Sequence, residues 1–497
     1  MKTDNLSPAM KQYARFKRDH PDAILFFRMG DFYEMFFEDA KVVSKVLGLT
    51  LTSRQNGVPM AGFPWHAAEP YIRKLISANY RVAICEQVQD PKEAKGVVDR
   101  DVIQVVTPGT VTSESMLEDK RSNYLAAVCV EARQAGIAWV DLSTGRFLVH
   151  ETPEKQIAEM LAVLSPSEIL LPETDIASPA EPWLEDSPAM VTQTPAWQFS
   201  RDEAQKVLTG HFRTKGLDGF GCEGLTAGIR AAGALVAYLN ETQKVRLAHI
   251  TRLVRYRAGD FCHLDRTTRW SLELVQTMRS HQRDGSLLWV LDRTVTAAGG
   301  RQLHDWVLNP LRDVTRIRDR LDGVEAFFTQ GLLRGAFRDA LKPVHDIERL
   351  TARVATGRAN ARDLLALGES LSALPALKQT LSEVRADILV GLRNRIDPIE
   401  ELADLVVAAI APAPPIGLHE GGLIRKGHNA ELDEIRDVAS GGKQWLSDYQ
   451  AAESARTGIP SLRIGFNKVF GFYIEITHTH ADKVPDNYTR KQTLKNA

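Results

Sequence analysis

A chain of 497 residues is too long for one compact core and predicts three or four domains at roughly 100–200 residues each. Lys and Arg total 62 against 63 for Asp and Glu, and 44% hydrophobic with 25% charged residues is ordinary for a globular protein, so wholesale disorder and a blanket polycation are both excluded. Attraction to phosphate, if present, must come from local basic patches.

The start, MKTDNLSPAMKQYARFKRDHP, lacks the apolar core of a signal peptide, and no stretch approaches the ~18 apolar residues of a membrane span, so a soluble, cytoplasmic protein with no membrane partner is expected. Cys85, Cys129, Cys222 and Cys262 form no C-x-x-C pair and are expected to be buried free thiols.

Residues 6–20 favour a helix, and 24–27 read as a buried strand. From Asp31 the spacing of Phe32, Phe36, Ala40, Val43 and Leu47 predicts a helix entered through a turn at Gly30, with Asp31 and Glu34 as a capping-box pair. GVPMAGFPW at 57–65 reads as a Gly/Pro loop. A helix over 67–78 and a strand over 81–86 complete a small mixed α/β domain ending near 115. Two β-rich runs, 122–131 and 137–150, a helix near 154–164 and the strand IleLeuLeu predict a second α/β domain to about 245.

From about 262 to 410 long amphipathic segments, among them 264–278, 314–328 and 363–374, predict an α-helical domain. The tract AlaProAlaProPro at 411–415 breaks it. A helix over 429–456, with Gly441 and Gly442 as its weak point, leads to two alternating segments, 461–467 and 470–476, that resemble an antiparallel pair.

Several motifs have a structural explanation beside the functional one. Gly219, Gly221 and Gly224 satisfy G-x-G-x-x-G, but no strand enters the motif, which favours a loop over a dinucleotide site. No G-x-x-x-x-G-K-[ST] segment occurs, so no enzyme activity of the Walker type and no bound cofactor are expected of these residues. His478 and His480 share a face without a third ligand, and no metal is assigned. Asp141, in ValAspLeuSerThrGlyArg, is the one point from which a metal-dependent phosphodiester hydrolase can be argued. ArgMetGlyAspPheTyrGluMetPhe at 28–36 combines an aromatic wedge with the nearby cations Arg28, Arg54, Arg73, Arg81 and Arg100, a combination suited to a kinked minor groove.

The segments GDFYEMF, GVPMAGFPWHAAEPY, VAICEQVQDP and VVTPGT, followed in order by DRTTRWSLEL, DWVLNPLRD, HNAELDEIRD, IGFNKVFGFYIEI and NYTRKQTLKNA, resemble the MutS family of DNA mismatch-repair sensors along the whole chain. The resemblance implies a multidomain α/β plus all-α fold. Its parts are a mismatch-binding domain at 1–115, an RNase-H-like connector at 116–250, an α-helical core and lever at 251–424, and the lever end with an incomplete β-rich clamp at 425–497. It further implies recognition of mispaired or looped DNA, with Phe32 and Glu34 at the mispaired base and Met60 supporting the wedge. Arg54, Arg73, Arg100, Arg490, Lys491, Lys495 and Asn496 would hold the DNA backbone. ATP and Mg²⁺, a homodimer and a MutL-type partner are implied for a longer protein of which this chain is the N-terminal part. Phe63 and Trp65 are bulkier than the family pattern, and the loop from Ser53 to Val58 is short for it.

Overall fold

The computed structural model describes residues 7–54, 57–89, 96–173, 181–185, 187–467 and 471–489. They divide into two compact units, one of residues 1–407 with 416–418, the other of 408–415 with 419–497.

The first unit opens with α1 (Pro8–Asp19), β1 (Ala23–Met29), β2 (Phe32–Phe36), α2 (Phe37–Leu47), β3 (Thr52–Arg54), β4 (Val58–Pro64), α3 (Ala68–Ser77), β5 (Arg81–Gln87) and β6 (Arg100–Val106). The strands form one sheet in the order β3-β4-β2-β1-β5-β6. On one face α2 and α3 pack on Phe26, Tyr33, Met35 and Phe63; on the other α1 packs on Phe27, Phe36 and Cys85. Two expectations are corrected here. Residues 32–36 are a strand, and the helix begins only at Phe37. The reason is a tight hairpin: Gly30, at φ +59°, and Asp31 are its two-residue loop, and Met29 faces Phe32 across it. Within FYEMF the burial then alternates with the period of a strand. The expected Gly/Pro loop is β4, whose prolines stand second and last, near the strand ends where few ladder bonds are forfeited.

The second sheet runs β11-β10-β7-β8-β9-β12, built from β7 (Tyr124–Glu131), β8 (Gln134–Asp141), β9 (Arg146–Pro153), β10 (Glu168–Pro172), β11 (Met190–Thr194) and β12 (Leu253–Arg255). The second β-rich run is therefore two strands. Ala132 and Arg133, both at positive φ, close the β7–β8 hairpin. Helix α4 (Ile157–Leu164) packs on one face, while α5 (Arg201–Phe212) and the long buried α6 (Ala227–Gln243) pack on the other. The approach of α6 is set by Gly136: a Cβ there would lie 2.0 Å from the Ala227 backbone carbon.

A helical region follows: α7 (Arg266–Ser271), α8 (Leu287–Leu291), α9 (Ala297–Leu308), α10 (Val314–Thr329), α11 (Gly331–Leu341), α12 (Ile347–Ala355), α13 (Ala361–Thr380), α14 (Asp387–Arg395) and α15 (Glu400–Ala409). The helix expected over 264–278 shrinks to six residues in α7. Asn360 and Asp363 form the capping box of α13. Arg349 of α12 is buried, and its Nη2 donates to the carbonyls of Glu118 and Arg121, tying the segment between the two sheets to the helices. His304 of α9 is pushed down to about 4 by burial, with the Arg121 and Arg283 charges adding to the effect against Asp305. Its charged form is thus disfavoured in the fold. Above pH ~6.5 the group contributes nothing; on acidification from there toward about 4 the unfolded chain binds the proton first, and stability falls. We expect His304→Gln to flatten that limb in urea titrations between pH 7 and 4; an unchanged slope would count against this source.

In the second unit, residues 411–415 form no helix or strand, as their prolines require. Helix α16 (Ala430–Thr457) runs 28 residues from Asn429, whose side chain accepts from the Leu432 N–H, to Gly458 at φ +65°. Gly441 and Gly442 do not interrupt it. β13 (Arg463–Asn467) and β14 (Gly471–Glu475) pair antiparallel as expected. No described helix is long and apolar enough to cross a membrane. Three cysteines are buried, but Cys262 is exposed.

Candidate nucleic-acid interface

The hairpin register defines the site. On β2, Phe32, Glu34 and Phe36 point to one face and Tyr33 and Met35 to the other. Phe36 anchors the row, buried edge-on against Tyr13 at 5.0 Å between ring centroids. Phe32, at the hairpin end of the same row, is 47% exposed. Its cross-strand neighbours are Met29 on β1 and Pro64 on β4; those of Glu34 are Phe27 and Gly62; Met60 faces Phe36. Gly62 has no room for a side chain, since a Cβ would come within 2.9 Å of the Tyr33 carbonyl oxygen and 3.5 Å of Glu34 Cγ. The result is an exposed aromatic ring with a half-buried carboxylate two residues behind it, both on one strand paired on either side.

Phe32, Glu34 and Met60 are brought onto one face of one sheet. Met29 was missed by the sequence reading; the two-residue loop at Gly30 is the signal that places it opposite Phe32. The cations are not gathered there. Arg28 stacks on Trp65, 4.4 Å from the ring centroid, and pairs with Glu86 at 3.4 Å. Arg81 lies over Tyr238 at 5.8 Å. Arg73 is exposed, but on α3, the helix layer of the opposite face. Arg100 is corrected: expected on DNA phosphates, it is 7% exposed, its donors committed to groups inside the domain. The Arg54 side chain and Arg490, Lys491, Lys495 and Asn496 lie outside the described residues.

Elsewhere, Asp141 is 1% exposed, accepts hydrogen bonds from Ser143 and Asn123, and titrates above the ordinary carboxylate range because of its burial. No group of three metal-ligating side chains occurs among the described residues, His478 and His480 included. The hydrolase alternative finds no support in this geometry. Gly219, Gly221 and Gly224 lie in a short turn and loop before α6.

Three family models match the chain: MutS domain I over residues 7–115, MutS domain II over 123–251 and MutS domain III over 267–493. Among curated relatives, a DNA mismatch repair protein MutS of Halothermothrix orenii is 44% identical over 503 residues, covering 99% of this chain and 56% of the relative. Proteins of the same name from Symbiobacterium thermophilum and Salinibacter ruber are each 45% identical, covering 99% and 98% of this chain and 57% and 55% of the relatives. The chain thus spans a little over half the length of the relatives it matches.

Proposed function

The chain belongs to the MutS family, and on that footing we propose that its first domain recognises mispaired or looped duplex DNA by inserting the Phe32 ring into the minor groove and kinking the helix. The observation that carries this reading is the half-exposed Phe32 at the hairpin end of a row whose far end, Phe36, is fully buried. A mispaired step unstacks and bends at lower cost than a matched one, so an aromatic wedge on a strand paired on either side converts pairing weakness into affinity. Glu34, two residues along the same face, would accept a hydrogen bond from the mispaired base, and Met60 would brace the row.

Arg54, Arg73, Arg490, Lys491, Lys495 and Asn496 would contact phosphates without reading sequence. We assign residues 1–115 to mismatch binding, 116–250 to an RNase-H-like connector, 251–424 to a core with levers and 425–497 to a lever end and part of a clamp. For a whole protein of this family, ATP with Mg²⁺, homodimerisation and a MutL-type partner are part of the same proposal.

The test is a fluorescence anisotropy titration of this chain with a G·T heteroduplex and its matched counterpart at several salt concentrations. Tighter binding of the heteroduplex is expected, with both affinities falling as salt rises. Equal affinities at every salt concentration would defeat the proposal.

A further inference from the structure

Arg100 begins β6, nearly sealed from solvent, on the sheet face that carries Phe27, Phe32 and Glu34. Its Nε donates to the Arg28 carbonyl at 2.7 Å, and its Nη1 donates to the Val98 carbonyl at 2.9 Å and to Gln12 Oε1 at 3.0 Å. Nη2 reaches Met29 Sδ at 3.5 Å, and the guanidinium stands 4.9 Å from the centroid of the Phe27 ring. Phe27 and Met29 are the β1 residues directly opposite Glu34 and Phe32. One buried cation therefore touches both β1 side chains that neighbour Glu34 and Phe32 on this face.

Burial holds this guanidinium below its ordinary pKa range, with Cys85 and then Glu34 acting in the other direction. No ion pair among those of the described residues includes Arg100. Its positive charge sits in a water-poor environment, where it acts more strongly than a surface cation does.

We propose that Arg100 is a specificity-determining positioning residue: it holds Phe27 and Met29 beside the wedge and supplies the positive charge that lets Glu34 face a base beside DNA phosphates. This rests on the mismatch-binding reading above. A carboxylate brought near a polyanion is repelled unless a donor or a cation offsets the repulsion. Glu34 approaches a base only where the step opens to admit it, so the nearby cation offsets a repulsion that the heteroduplex alone incurs, and its removal weakens heteroduplex binding selectively.

The proposal separates from a phosphate-contact role in one experiment. Arg100→Met, Arg100→Lys, Glu34→Gln and the Glu34→Gln double variants are titrated with G·T and matched duplexes across salt, with Phe32→Ala alongside. We expect Arg100→Met to lower the heteroduplex-to-matched affinity ratio about tenfold with the matched-duplex salt slope unchanged, because no counterion-releasing contact is lost. Arg100→Lys, which keeps the charge, should recover part of the ratio, and in the Glu34→Gln background either Arg100 change should alter it far less. A salt slope reduced by about 1 at constant ratio would make Arg100 a phosphate ligand and overturn the proposal. Should Arg100→Met fail to fold, Arg100→Lys decides alone: a ratio lowered equally with and without Glu34 overturns it. If Phe32→Ala lowers the ratio while no Arg100 variant does, only this inference falls; if Phe32→Ala leaves it intact, the wedge reading falls first.

Discussion

Replacing Phe32 with alanine is expected to erase the preference for a G·T heteroduplex while weak, salt-sensitive duplex binding persists. Stacking of one base on an aromatic side chain is worth about 1–3 kcal/mol, or roughly 5- to 150-fold in affinity, and that contribution is confined to the duplex whose step opens. Phosphate contacts act on both duplexes alike and survive the substitution. Because the ring is 47% exposed, its loss should lower folding stability by less than about 1 kcal/mol, so the binding defect appears in a folded protein. Tyr33→Ala is the contrasting control: that ring is 5% exposed and packs on Phe26 and Phe63, and its removal should damage the domain itself. Undiminished G·T preference in folded Phe32→Ala would rule out the wedge.

Glu168→Ala is expected to give the largest loss of stability, on the order of 3–5 kcal/mol. Glu168 at the start of β10 has no solvent exposure, and its carboxylate binds four groups from three parts of the chain. Oε1 accepts from the hydroxyls of Thr192 and Tyr238, each at 2.7 Å. Oε2 accepts from the Gly109 N–H at 3.0 Å and from the Thr107 hydroxyl. Thr107 and Gly109 belong to VVTPGT, the segment by which the chain leaves β6, so this carboxylate joins the first sheet's exit to the second sheet and to α6. Truncation strands those donors in a buried place, each costing about 1–3 kcal/mol if it finds no substitute. The same crowding excludes any side chain at Gly109, where a Cβ would lie 2.8 Å from Leu125 Cδ1 and 2.9 Å from Glu168 Cβ. Chemical denaturation should show the loss, and protease cleavage within 107–123 should quicken. A change under about 1 kcal/mol would mean that other acceptors replace the carboxylate.

Strong local patterns were readable from sequence alone. The helix over 430–457, the two alternating segments that became β13 and β14, and the stop at the proline tract needed no partner to be recognised, since periodicity and backbone chemistry are local. The family likeness was legible because its motifs recur in order over almost the whole chain. The run from Phe32 to Leu47 was not resolvable in this way. Its apolar residues fit a helical spacing and, over five residues, a strand alternation equally well, and only pairing with β1 and β4 decided for the strand. The Gly/Pro stretch at 57–65 likewise became a strand because two neighbours supplied its ladder partners.

What sequence determined, then, was which residue types stand where: an aromatic ring two positions before a carboxylate, and a set of arginines in one domain. Tertiary structure decided which way each side chain points. A strand register fixes faces in pairs, so placing Met29 opposite Phe32 put the ring at the exposed end of its row, and the same sheet brought Arg100 over the Phe27 ring, to a buried place that no count of charges distinguishes from the surface.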